Sequence, residues 1–314
     1  MIVAEVIDRI EFNISTKDDL SGKSANNLFT KRNIVRALKT ALDDYAQYTL
    51  EIEGIKSYSI SEDQRILDAP SDRVRSQTYR GMYVVLSSVI YPLNVKDFNM
   101  VKSTYYYNEI KGVPTDAFMW QNKINIYPRM NTSYISTTLE ADCDKNATTL
   151  TIDHDGSDFQ PRNGRVQVED EVIEYEKITN NSAIKSTLSG CTRGLEGTAA
   201  ADHSAGSTVK QKNFYIYYYK IHWDIPLLDN NTIAPAYLTK EMEINDVHLE
   251  PIISEASYKL LAKIDINRAN FYKQDYKLWL RRAKYEVMQG RNNTKVHGKI
   301  RDPYPFEIGF VRDY

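Results

Sequence analysis

Cysteine is scarce: Cys143 and Cys191 are the two in a chain of 314 residues. Two thiols cannot make a disulfide scaffold, nor a structural zinc site, which needs about four ligands. An excess of one charge is also missing. Forty basic and 42 acidic residues leave a formal net charge of −2, so no global basic field points to nucleic acid or anionic lipid. No apolar run approaches the roughly 20 residues a membrane helix needs. The opening MIVAEVIDRIEF carries acids inside its apolar pattern, unlike a signal peptide. A chain made in a cytoplasm and soluble until it assembles is therefore expected, and the Asn-x-Ser/Thr triplets at Asn131 and Asn146 read as chance matches.

What is plentiful is tyrosine, with 23 residues. Tyr offers rigid, amphipathic contact area favoured at interfaces, and it also suits β-strands, where most of these residues fall. A hydrophobic content of 42% argues against wholesale disorder and for a sizeable core in about two domains.

The pattern along the chain changes several times. Val3, Val6, Ile7 and Ile10 have helical spacing over residues 1–12, and 13–29 reads as a polar loop. Thr30 is placed to cap a second helix over 31–49 with the stripe Ile34, Leu38, Leu42 and Tyr45, and Gly54 lies just beyond it. Short β-branched and aromatic runs between turn residues predict an antiparallel β unit over 58–128. Residues 135–212 are rich in Thr, Ser, Asp and Gly and predict a small β module with a hairpin turn at Glu169-Asp170. From Phe214 the aromatic strand style returns. The strand ending at Pro128 and the one starting near Phe214 read as sheet neighbours, with the module in the loop between them. After Glu243 the period is helical again. Ile253, Ala256, Leu260 and Ile264 form one stripe, and Tyr272, Tyr276, Leu280 and Ala283 a second that Gly290 can end.

The expected fold class is α+β. N- and C-terminal helices form a bundle, joined to an antiparallel β unit, and an all-β module is inserted. The domains expected are a core of 1–134 with 213–290, the module 135–212, and an extended C-terminal docking tail 291–314. In that tail Tyr304, Phe306, Phe310 and Tyr314 are the candidate interface residues, because an extended aromatic segment is how one chain docks on another.

Three stretches resemble the head-to-tail adaptor (connector) proteins of tailed bacteriophages: the opening helices ending in IVRALKTALDDYAQYT, the strands GVPTDAFMWQNKINIYP and FYIYYYK with the loop DIPLLDNNTIAPAYL, and the helix ISEASYKLLAKIDINRANFYKQDYKLWLRRA. The resemblance covers most of the chain outside 135–212. It implies a helical bundle carrying a β unit, and a dodecameric ring of copies that binds the portal protein and tail or nozzle proteins in the virion neck. Such a ring assembles in the host cytoplasm, and genomic DNA passes through its lumen without sequence recognition. The module, with EDEVIEYEKI and then LSGCTRGLEGTAAADHSAGSTV, is similar to a small β domain of phage tail and baseplate proteins. Plain adaptors have no such module.

No enzymatic signature emerges, and no cofactor, metal or membrane partner is expected. SGKS at 21–24 lacks the upstream glycine and feeding strand of a phosphate loop. DHDGSD at 153–158 lacks the bidentate acid of a calcium loop and reads as a solvated turn. Arg193, Glu196 and His203 sit among glycine turns and read as turn supports. Arg281, Arg282 and Lys284 follow Trp279 on the last helix. They can face DNA in a lumen or complement a helix C-terminus, and the second reading is preferred. The function expected is a structural virion protein. The alternative is a peripheral virion protein whose β module recognises a host-surface glycan.

Overall fold

The computed structural model describes residues 1–15, 30–74, 79–96, 110–120, 122–226, 233–262 and 264–297. The chain divides into two compact units, one of Met1–Glu53, Asp72–Gln77 and Tyr219–Tyr314, the other of Gly54–Ser71 and Thr78–Tyr218.

The first unit is helical. Its elements are α1 (Val3–Ile14), α2 (Lys31–Thr49), the short α3 (Pro235–Leu238), α4 (Leu249–Leu261) and α5 (Ile266–His297). α1 turns Val3, Val6, Ile7, Ile10 and Ile14 inward. α2 starts where expected, with the Thr30 side chain accepting a hydrogen bond from the Asn33 N–H. It ends at Thr49, as expected: Leu50 takes a left-handed conformation, φ 57°, and its N–H donates to the Ala46 carbonyl. Ile34, Val35, Leu38, Leu42, Ile252, Ile253 and Ala256 share one apolar cluster with α1. Each of the Ile, Val and Leu side chains, fully buried, contributes about 1.5–3 kcal/mol. The predicted stripe fails at its end, because Ile264 is 47% exposed. The last helix also runs past Gly290 to His297: one glycine weakens a helix by only about 1 kcal/mol.

The second unit is built of strands. In chain order they are β1 (Glu53–Tyr58), β2 (Ile66–Asp68), β3 (Gly81–Leu86), β4 (Val89–Pro92), β5 (Asn94–Lys96) and β6 (Lys111–Gly112). Next come β7 (Asp116–Trp120), β8 (Lys123–Tyr127), β9 (Arg129–Met130), β10 (Ser136–Thr138), β11 (Thr149–Ile152) and β12 (Arg162–Val168). The remainder are β13 (Glu171–Ser182), β14 (Lys185–Ser189), β15 (Thr192–Leu195), β16 (Thr208–Gln211) and β17 (Phe214–Tyr219).

The fold-class expectation of a helical bundle with a β unit and inserted module is overturned. The chain is β-rich, 36% strand against 30% helix, and its strands fall into several sheets. They are not uniformly antiparallel: β5 runs parallel to β7, and β6 to β9. Nor are the strands before and after the module neighbours. β8 lies in the sheet β2-β8-β7-β5, whereas β17 lies in β1-β17-β3-β4. The period of two fixes which residues of a strand face the core, but not which strand is its partner, and partner choice is where the expectation failed.

Residues 135–212 form a sheet of their own, β10-β16-β12-β13-β14-β11, with β15 paired to β13. Its first and last strands pair, Ser136 opposite Lys210. The predicted hairpin is present, with Val168 opposite Glu171 and Glu169 at φ 51°. Phe159, Val166, Val168, Ile173, Tyr175 and Leu188 fill its core. Side chains stitch this sheet to the rest of the unit. The Arg165 N–H donates to the Tyr215 hydroxyl (2.8 Å), and Glu196 receives the Ser57 N–H (2.8 Å).

Candidate functional site

The long helix α5 begins on a cap: Asp265 Oδ1 accepts from the Asn267 and Arg268 N–H groups, each at 3.1 Å. One side of the helix is spent on the core. Ala269, Leu280 and Ala283 are buried, and Tyr272 and Tyr276 pack against the same cluster.

The other side is unusual. Phe271, Leu278 and Tyr285 are 61, 67 and 62% exposed. They recur every seven residues, with Ile264 one step ahead of the helix. A helix drifts only about 20° per heptad, so the three make one stripe. At about 100° per residue it lies opposite the buried face. Single exposed apolar residues are ordinary; an aligned row of large ones marks an interaction surface. Lys273, Lys277, Arg281 and Arg282 are the exposed charged residues of this helix among those described, and all four are cations.

The helix is held in place from behind by a polar chain. The Tyr45 hydroxyl donates to Glu51, both Glu51 oxygens lie 3.0 Å from His248 Nδ1, and His248 Nε2 lies 3.0 Å from Glu286. Arg282 Nε then donates to Glu286 at 2.8 Å. Burial alone would raise the Glu51 carboxyl, but hydrogen bonds from His248 and Tyr45 outweigh it and hold it below its ordinary value. The hydrogen bond to Glu51, followed by that to Glu286, raises the His248 imidazole against its desolvation. Nearby, burial pushes the Glu255 carboxyl up to about 7, although Lys259 lies 2.8 Å away.

The three basic residues singled out in the sequence do not act as one patch. Arg281 is exposed. Arg282 is bound to Glu286 and stands 5.3 Å over the Trp279 ring. Lys284 is half-buried with its Nζ 4.2 Å over the Tyr48 ring. All three lie well inside a helix that continues to His297, so a last-turn contact with the helix dipole does not apply. Tyr304, Phe306, Phe310 and Tyr314 lie outside the described residues, as does SGKS at 21–24.

In the β module, Glu171 is nearly inaccessible, its side chain 1% exposed. It accepts from Arg193 Nε (2.8 Å) and Nη2 (2.7 Å) and from the Gly194 (2.9 Å) and Ala201 (3.2 Å) N–H groups, with His203 Nε2 at 2.8 Å. Burial would raise this carboxyl; Arg193, His203 and the two amides reverse that and hold it at about 2. Such a saturated carboxylate orders a turn and leaves no lone pair for a substrate. Glu196 does not support that turn: it pairs with Arg165 at 3.0 Å and with Ser57. In DHDGSD, Asp155 Oδ1 caps Ser157 locally, 3.1 Å from its N–H. Among the described residues no group of His, Cys, Asp or Glu is arranged to hold a metal ion. No described helix is long and apolar enough to cross a membrane.

No protein-family model matches this sequence. No curated protein matches it either.

The feature that sequence reasoning missed is the outer stripe of α5. Its signal is Phe271, Leu278 and Tyr285 at seven-residue steps, masked by the stripe Tyr272 to Ala283, which by itself satisfies the pattern of a core-facing helix.

Proposed function

We propose that this chain is a structural subunit of a tailed-virus particle, an adaptor that joins portal to tail as a ring around the passing DNA. One observation carries the reading: a long, core-anchored helix presents Phe271, Leu278 and Tyr285 to solvent in line. That is the equipment of a protein that works by contact. The resemblance of the terminal and aromatic-strand stretches to phage adaptors supplies the assembly, and that of the 190–206 glycine turns to tail and baseplate domains points to the same particle. The portal, tail or nozzle proteins and further copies of the chain are the proposed partners, and the virion neck the proposed location. The fold carries far more strand than that resemblance implies, and the added sheet over 135–212 is the part assigned to outward-facing contacts.

The experiment is negative-stain imaging of purified protein mixed with portal rings of the same particle. A coaxial ring on the portal is expected. A detached spike, or no association, rejects the adaptor in favour of a peripheral binding protein that uses the β module.

A further inference from the structure

The outer face of α5 and the outer face of α1 are opposite in character. Around Leu278 the exposed charges are Lys277, Arg281 and Arg282; Arg282 is paired with Glu286, and the half-buried Asp275 lies one turn earlier. On α1 the outward residues are Glu5, Asp8, Arg9, Glu11 and Phe12, with Phe12 78% exposed. Glu250 at the start of α4 pairs with Arg9 at 2.6 Å, which leaves Glu5, Asp8 and Glu11 as the excess charge of that face. Asp8, Arg9, Phe12 and Asn13 of α1 and Glu250 and Ile253 of α4 line a cleft of about 390 Å³. Phe12 and Ile253 are its apolar lining, and of its charged lining Arg9 and Glu250 are paired with each other, which leaves Asp8 in excess.

Like charges argue against pairing two α5 faces, since Lys277, Arg281 and Arg282 would meet their own copies. They argue for an acidic surface as the occupant. Duplex DNA is also acidic, but phosphate recognition has no use for three large exposed apolar side chains, and those are what the face presents. An acidic surface with an apolar cleft is available on the same chain.

We propose that the outer face of α5 on one copy docks head-to-tail into the α1–α4 cleft of the next, placing Leu278 or Phe271 beside Phe12 and the α5 cations against Asp8 and Glu250. A contact between two different faces repeats from copy to copy and closes into a ring where the rotation allows, whereas a contact of one face with itself stops at a dimer. The proposal rests on the ring reading above and names the surfaces that would build it.

Two measurements on the full chain test it. In a Cys143→Ser background, copies carrying Phe12→Cys are mixed with copies carrying Leu278→Cys and treated with a short bismaleimide. Cross-linked dimers are expected from the mixture, at least tenfold above either variant alone. Equal cross-linking of Leu278→Cys with itself shows an α5–α5 contact and overturns the proposal; so does the absence of cross-links at the highest soluble concentration. The second measurement is sedimentation of charge-reversed chains with unchanged melting temperatures. Lys277→Glu with Arg281→Glu, and separately Asp8→Lys with Glu250→Lys, should each self-associate at least tenfold more weakly. An equimolar mixture of the two should recover association, because each restored contact again joins opposite charges. Wild-type association by the Asp8→Lys, Glu250→Lys chain overturns the proposal, as does loss of duplex-DNA binding by the Lys277→Glu, Arg281→Glu chain with self-association intact. A ring that seats on the portal without the Phe12–Leu278 cross-link removes this contact and leaves the adaptor reading standing. The cross-link without portal binding does the reverse.

Discussion

His248 lies between two carboxylates brought from opposite ends of the chain, Glu51 at 3.0 Å from Nδ1 and Glu286 at 3.0 Å from Nε2. The imidazole is the link between the end of α2 and the middle of α5, so its protonation should tune how firmly α5 is held. Its folded pKa is raised above 6.5 by Glu51 first and Glu286 as well. The proton is therefore bound more tightly in the folded chain. The stability this supplies is complete below 6.5 and is lost as pH rises through the higher folded value. Melting curves of wild type and His248→Gln should show a wild-type advantage in mildly acidic buffer that narrows in mildly alkaline buffer. An advantage that grows with pH contradicts the bridge.

Their spacing places Leu38 and Ile264 in one core, and the structure separates them. Leu38 is fully buried and Ile264 is 47% exposed. Leu38→Ala should cost about 2–5 kcal/mol, and Ile264→Ala should stay within about 0.5 kcal/mol. Denaturant unfolding of both variants measures this. Similar losses at the two positions would mean that Ile264 belongs inside after all.

Arg193 is the main partner of the buried Glu171 carboxylate. Arg193→Ala leaves that charge without its counterion and should destabilise the chain by about 3–5 kcal/mol. Glu171 has a folded value of about 2 against 4.5. Its contribution is thus present above 4.5 and fades as pH falls toward 2. Acid titration of stability should show the wild-type advantage over Arg193→Ala shrinking across that window; a constant gap disproves the coupling.

The tail residues Tyr304, Phe306, Phe310 and Tyr314 are assigned to docking from sequence alone. Because α5 reaches His297, a stop codon after His297 removes them while keeping the helix whole, where a cut at Gly290 would clip it. The shortened chain is expected to keep its melting temperature and to lose capture on immobilised portal rings. Unchanged capture means the tail is not the docking arm.

Sequence reading succeeded where one local rule decides the outcome. Thr30 caps α2 because its side chain can reach the Asn33 N–H, and the Glu169-Asp170 turn joins two β-rich runs by their alternation alone. It failed where several continuations are locally equal. Ile264 continues the Ile253–Leu260 stripe by spacing but lies exposed; β17 could have paired with β8, but it lies between β1 and β3. For the candidate surface, the cations at Arg281 and Arg282 were legible and the setting was not: the spacing shows two apolar stripes on α5, and only packing against α4 tells which is buried.

By itself, then, the sequence determined the span of α2 from its Thr30 cap to Thr49, the self-pairing hairpin of the 135–212 region, and the cationic character of the last helix. These follow from periods, caps and composition, which act within a few residues. The tertiary structure alone decided how the strands divide among sheets, that Glu171 is a saturated buried carboxylate, that Glu51 meets Glu286 through His248, and that Phe271, Leu278 and Tyr285 face solvent. Each of these depends on groups far apart in the chain competing for one partner, and that competition is settled by packing and desolvation, which no local pattern encodes.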